Sequence, residues 1–148
     1  MDNERHLVIQ TINNFNTAYM KKDWDGVKKC LASTVHCFGT DTSEIINSVS
    51  DFEKITKNNW TKYEAIKLSS PMNLFIEMDK DAELADAVYY VMFNHVAGGK
   101  STMNILHISA AFKKENGEWR IVHMVTGLST MGETGKTEPI KIDDGTVK

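Results

Sequence analysis

His123 is the residue of this sequence best placed for chemistry, because its neighbours set an imidazole into an otherwise apolar strand face. Asn116-Gly117 separates two alternating runs, and this dipeptide meets the φ > 0 requirement at both central positions of a type I′ hairpin turn. Pairing Glu115 with Glu118 across the turn puts Leu106, Ile108, Ala110 and Phe112 on one face with Trp119, Ile121, His123 and Val125. An imidazole there can serve as a general base near neutral pH or hydrogen-bond a carbonyl or an anion. A core histidine satisfied by a backbone group or by Tyr89 fits the same pattern.

Other polar groups could assist it. Tyr19 and Tyr89 can present hydroxyls to a ligand, although a Tyr on an apolar stripe also serves as packing with its tip at the rim. Asp41 and Glu44 follow the first strand and can supply a carboxylate at a cavity mouth, yet an Asp between two Thr residues is also an Asx-turn former. Trp24 and Trp60 close the helical side of the core or stack on a flat ligand. His36 adjoins Cys37, but two residues fall short of the four ligands of a structural zinc site. Cys30 and Cys37, the only cysteines, read as reduced, buried thiols. No nucleophile triad, phosphate-cradling Gly-rich loop or dinucleotide fingerprint is present, so no cofactor and no metal are expected.

At 148 residues the chain supports one domain that buries roughly 70% of its unfolded surface. A net charge of −3 without a Lys/Arg cluster argues against nucleic acid and membrane surfaces as partners. The polar start Met1-Asp2-Asn3-Glu4-Arg5 precedes an amphipathic run, which predicts neither a signal peptide nor a membrane span and hence a cytoplasmic protein.

Positioning these residues falls to a helical half followed by a stranded half. Val8, Ile12, Phe15 and Tyr19 recur at helical spacing and predict a helix over about Asn3 to Met20. Asp23 offers an N-cap for a short second helix with Trp24, Val27 and Leu31 on one side. Thr34 to Gly39 reads as a strand, Gly39 to Ser43 as a loop, and Ser50-Asp51-Phe52-Glu53 as a capping box for a third helix reaching about Trp60. Long strands follow over 63–68, 72–78, 84–97, 101–114 and 118–128, with Pro71 marking an edge or bulge. Gly98-Gly99 predicts a second tight hairpin that pairs Val91 with Leu106 and Tyr89 with Ile108. Residues 131–148 read as a polar, mobile tail with one possible short strand at Pro139 to Ile142, leaving the domain at 3–130.

This order is α+β: a curved antiparallel sheet wrapped around about three N-terminal helices, forming a cone with an internal pocket. The expected wall combines Tyr89, Val91, Phe93, Asn104, Leu106, Ile108, Ala110 and Phe112 with Trp119, Ile121, His123 and Val125. The opposite face, with Tyr90, Met92, Met103, Ile105, His107, Val122 and Met124, is too apolar for water and predicts a homodimer. His107 and His123 fall on opposite faces and form no metal pair. Lys113 and Arg120 pair at the rim of that outer face as solvated cations.

Lys22-Asp23-Trp24-Asp25-Gly26, Val35-His36-Cys37-Phe38-Gly39-Thr40-Asp41 and Asn116-Gly117-Glu118-Trp119-Arg120-Ile121-Val122-His123 together resemble the nuclear-transport-factor-2-like superfamily, in the SnoaL-like branch named after a polyketide cyclase. The resemblance spans nearly all of Glu4 to Ser129 and implies the cone, its pocket and, usually, a dimer on the outer sheet face. In the ketosteroid isomerases of that superfamily a Tyr and two Asp residues do the chemistry. The corresponding positions here hold Phe15, Gly39, and Ser109 or Ala110, so that catalytic set is absent. The resemblance implies a pocket, and together with the residues above this gives the expectation of a small hydrophobic ligand and cofactor-independent isomerase, cyclase or dehydratase chemistry, with His123 as base or orienting group and Tyr19, Tyr89 and Asp41 as helpers. Phe15, Trp60, Tyr89, Val91, Phe93, Leu106, Ile108, Phe112, Trp119 and Ile121 would be its ligand contacts. The rival reading is a non-catalytic ligand sensor or homo-oligomeric assembly module resembling the association domain of calmodulin-dependent kinases.

Overall fold

Side-chain caps decide where the helices begin. In the computed structural model, which describes residues 2–130, helix α1 spans Asp2–Met20 and α2 spans Trp24–Lys29. The Asp23 carboxylate accepts from the Gly26 amide at 3.1 Å and starts α2, as its sequence position predicts. Helix α3 covers Val49–Lys62 and is capped by Ser48, two residues before the expected box. Ser48 Oγ accepts from the Asp51 amide and the Asp51 carboxylate accepts from the Asn47 amide, each at 3.1 Å. The reciprocal cap is therefore closed by Asp51, so Glu53 is left to the helix surface.

Strand β1 (Leu31–Phe38) leads through the expected loop to the two-residue β2 (Ile45–Ile46), an element the sequence pattern does not announce. After α3 come β3 (Ala65–Leu68), β4 (Met72–Met78), β5 (Leu84–Ala97), β6 (Lys100–Glu115) and β7 (Glu118–Thr130). They form one curved, unclosed sheet in the order β2-β1-β7-β6-β5-β3, with β4 also on β5. The α+β class stands, but β1 lies parallel to β7 and makes the sheet mixed. Parallel pairing needs a long connection, and the stretch from β1 to β7 provides one. β3 and β4 share the edge of β5, broken at Pro71 as expected; there Ser69 patches the ladder by donating its amide to Met92 O and accepting from the Met92 amide.

Both predicted hairpins form. Gly98 and Gly99, and Asn116 and Gly117, all have positive φ, and Ala97 pairs with Lys100 and Glu115 with Glu118. Along β5–β6 the register holds throughout, with Val91 opposite Leu106 and Tyr89 opposite Ile108.

On β7 the register slips. Phe112 pairs with Ile121, but Ala111 pairs with His123 and Ala110 with Met124, which leaves Val122 as an extra residue. Such a bulge exchanges the two faces from that point on. Met124 is buried against the helices, whereas His123 and Val125 turn to the outer face, the reverse of the uninterrupted register. The energetics favour the slip: burying a Met side chain contributes roughly 1.5–3 kcal/mol. Burying an unpaired polar group costs about 1–3 kcal/mol.

The core sits between α1, α3 and the inner sheet face, where Val8, Ile12 and Phe15 meet Phe112, Trp119 and Ile121. Trp119 is pinned beneath α1: its indole donates to Glu4 at 2.7 Å, its carbonyl accepts from Thr11 Oγ1, and Lys114 pairs with Glu4 at 2.9 Å. The expected tail and its possible strand at Pro139 to Ile142 lie outside the described residues.

Candidate functional site

Curvature of the sheet leaves a cavity of about 170 Å³ between α1, α3 and the strand face. An apolar cavity of roughly 150 Å³ holds one benzene ring. Its walls alternate as strands must. Val91, Phe93 and His95 on β5 face Asn104, Leu106 and Ile108 on β6, and Met124 enters from β7 because of the bulge. Phe15, Asn16 and Tyr19 contribute from α1, and Asn59 and Glu44 guard one side.

Three of the polar side chains in this cavity are under-used. His95 is half-buried, with ring centroids 4.5 Å from Tyr63 and 5.0 Å from Phe93. The Asn104 amide nitrogen lies 3.4 Å from His95 Nε2. Since that nitrogen donates, Nε2 carries the lone pair and Nδ1 the proton; turning the amide over would reverse both roles. Among the described residues His95 Nδ1, Asn104 Oδ1 and Asn16 Nδ2 are buried without a hydrogen-bond partner. Each such group destabilises the protein alone and favours a guest that satisfies it. Burial holds the His95 pKa below its ordinary value of 6.5, which keeps the imidazole neutral and available to take a proton near neutral pH.

Glu44 is the carboxylate of the site. It accepts from Asn59 Nδ2, the Asp41 amide and the Thr40 hydroxyl at 3.0, 3.0 and 3.2 Å. Gly39 is the residue that lets it fold inward, since a Cβ at that position would stand 2.7 Å from the Glu44 Cβ. Tyr19 packs edge-on against Trp60, and burial, followed by the nearby Tyr63 and Glu44, raises its pKa to about 12. It is a neutral hydroxyl, not a phenolate.

Several expected site residues stand elsewhere. His123 is on the outer sheet face because of the Val122 bulge and does not line the cavity. Asp41 is an exposed turn former: its carboxylate accepts from the Ser43 amide and hydroxyl at 2.9 and 2.8 Å, which holds its pKa low. Tyr89, Phe112, Trp119 and Ile121 are buried in the core and do not line the cavity, because the curl that opens it lies toward the other end of the strands, and Trp60 is buried against Tyr19 and does not line it either. Phe15, Tyr19, Val91, Phe93, Leu106 and Ile108 do line it. His95 went unread, although the alternation that places Tyr89, Val91 and Phe93 on the inner face leads to it in one more step. Asn16 was legible in the same way, since it stands four residues after Ile12 on the same buried helix face.

Among the described residues no three His, Cys, Asp or Glu side chains are gathered as a metal cluster. Cys37 points to the core, away from its neighbour His36, and burial raises the pKa of Cys30 and of Cys37 to about 11, which makes both thiols inert. No helix among the described residues is long and apolar enough to cross a membrane.

The chain belongs to the SnoaL-like domain family, whose model matches residues 8–130. Solved structures share its fold. A provisionally assigned dehydratase of the NTF2-like family from Streptomyces avermitilis is 9% identical with a TM-score of 0.78, over 89% of this chain and 100% of that one. Hexachlorocyclohexane dehydrochlorinase LinA-type3 from Novosphingobium barchaimii is 12% identical with a TM-score of 0.71, over 86% and 90%. A provisionally assigned calcium/calmodulin-dependent protein kinase II association domain from Xanthomonas campestris is 19% identical with a TM-score of 0.68, over 82% and 84%. At these identities the likeness is one of fold. No curated protein sequence matches the chain.

Proposed function

We propose that the cavity binds a small, largely apolar ring compound bearing one oxygen acceptor and one donor, and that the protein carries out cofactor-independent proton transfer on it, of the dehydration or isomerisation type. The observation that carries this reading is the set of three partnerless polar atoms, on His95, Asn104 and Asn16, in one cavity. With the Asn104 amide turned over so that its oxygen accepts from Nε2–H, the partnerless His95 Nδ1 holds the lone pair; it removes a proton from the ring carbon beside the acceptor group, and the same imidazole returns it to a departing hydroxyl or to another carbon. Asn16 Nδ2 donates to the acceptor oxygen, where negative charge develops. Asn104 orients the imidazole. The fold shared with a dehydrochlorinase and a dehydratase supports this class of chemistry without naming the substrate.

The test is a thermal-shift and calorimetric titration of a panel of monocyclic hydroxylated and keto compounds. His95→Gln and Asn16→Leu weaken binding at least about tenfold while His123→Gln binds like wild type. Equal binding by wild type and His95→Gln would refute the site.

Self-association is favoured by a different observation. Ile45, Phe38, Val125, Ser109, Val88 and Phe75 stand side by side on the outer face of six successive strands, as their registers require. The five apolar members of that row are 39–60% exposed. A row of this kind suits a homodimer built through the sheet, whether or not the cavity is catalytic. In light scattering, wild type should weigh as a dimer and the pair Phe75→Glu, Val88→Lys as a monomer with unchanged circular dichroism. A wild-type monomer at high micromolar concentration would contradict it.

A further inference from the structure

The bulge that removes His123 from the cavity has a second result, for it brings two imidazoles together. Parallel pairing of β1 with β7 sets His36 opposite His123 on the outer face, with ring centroids 5.2 Å apart and planes inclined by 47°. We propose that His36 and His123 form a two-histidine site for a late first-row divalent transition-metal ion. This rests on neither the cavity nor its ligand.

Hydrogen bonding fixes how the two rings present themselves. His36 Nδ1 lies 3.2 Å from the Thr34 carbonyl oxygen, and His123 Nδ1 lies 3.2 Å from the His36 carbonyl oxygen. A carbonyl oxygen only accepts, so each Nδ1 carries the hydrogen and each neutral ring keeps its lone pair on Nε2. A backbone carbonyl holding one ring nitrogen while the other faces outward is the supporting arrangement that metal-binding histidines use. Neither ring has to change tautomer or break a bond to bind.

The spacing also fits. With metal–nitrogen bonds of about 2.0–2.1 Å and a ligand angle of roughly 109°, two imidazole centroids on one ion stand about 5.2 Å apart. That is the separation observed.

The charge environment does not oppose a cation. Lys113 is held on Thr34 Oγ1 at 2.9 Å and balanced by Glu115 at 3.6 Å. Asp86 continues the same cross-strand row, opposite Ala111, which in turn is opposite His123. Two neutral imidazoles with no carboxylate in the pair suit copper, nickel or zinc over magnesium or calcium, with copper bound most tightly. Cys37 does not complete the set, because its side chain is buried on the other side of the strand. Water fills the remaining positions, or a second copy of the chain does.

Untagged protein is titrated calorimetrically with Cu²⁺, Ni²⁺ and Zn²⁺ in parallel with His36→Asn, His123→Asn and His107→Asn, the last a histidine on the same face but outside the pair. The proposal expects saturable binding in the order Cu²⁺ over Ni²⁺ and Zn²⁺. His36→Asn and His123→Asn each lose at least about tenfold in affinity, since the second ligand binds at high effective concentration. His107→Asn matches wild type, and the double variant is little worse than either single one. One ion per chain, or one per two chains with the same losses, supports the site. Binding unmoved by His36→Asn and His123→Asn, equal losses in His107→Asn, or no saturable binding by wild type overturns it. Unchanged melting of the metal-free variants shows that they fold.

Discussion

Replacing Asn16 by Leu should make this protein more stable and a poorer binder at once. The Asn16 side chain is buried on α1, and its Nδ2 has no hydrogen-bond partner among the described residues. A buried donor left unsatisfied costs about 1–3 kcal/mol. Asn→Leu removes that cost with a side chain of similar size and adds a few tenths of a kcal/mol in helix propensity. The combined gain is about 2 kcal/mol, or a rise of roughly 4–8 °C in the melting midpoint for a domain of this size. Scanning calorimetry of Asn16→Leu beside Asn13→Leu separates the contributions, because Asn13 is exposed on the same helix and reports propensity alone. Affinity for a ring compound with an acceptor oxygen should fall about tenfold in Asn16→Leu, one hydrogen bond's worth at a buried site. A melting point at or below wild type would refute the reasoning, since it would mean that the amide is already satisfied and the cavity is not poised for a guest.

The bulge is tested by stability. Met124→Ala should cost about 2–5 kcal/mol in chemical denaturation, the range for a buried Met. His123→Ala should cost less than about 1 kcal/mol, as a surface change does. The reverse ranking would restore the uninterrupted register. Acid stability is tested at Glu4, whose pKa is held below its ordinary value of 4.5 by the hydrogen bond with Lys114 and then that from the Trp119 indole. A depressed carboxylate contributes stability that is present above the unfolded value and lost as pH falls through the folded one. Glu4→Gln should therefore melt below wild type at pH 7, and the gap should close as pH falls below 4.5 through the depressed folded value. A constant gap across pH 3–7 would contradict the assignment.

Where sequence patterns were local, they were legible. The two hairpins announced themselves through Gly98-Gly99 and Asn116-Gly117, and the unbroken β5–β6 register follows from the first of them. The α1 stripe of Val8, Ile12 and Phe15 reads directly from helical spacing. What failed depended on partners distant in the chain. The bulge at Val122 arises from competition between Met124 and His123 for the core, and the parallel β1–β7 contact that accompanies it involves residues nearly ninety positions apart. Alternation therefore assigned the right faces up to Ile121 and the wrong ones after it. His95 shows the opposite case, where a pattern already in use needed one further step.

Side-chain ¹⁵N NMR of the imidazoles during titration with a monocyclic hydroxy-ketone tests the central claim most directly. The His95 ring nitrogens should shift and saturate with the ligand while those of His123 and His36 stay in place. Movement of His123 with a silent His95, or no imidazole response to any ligand that binds, would contradict it.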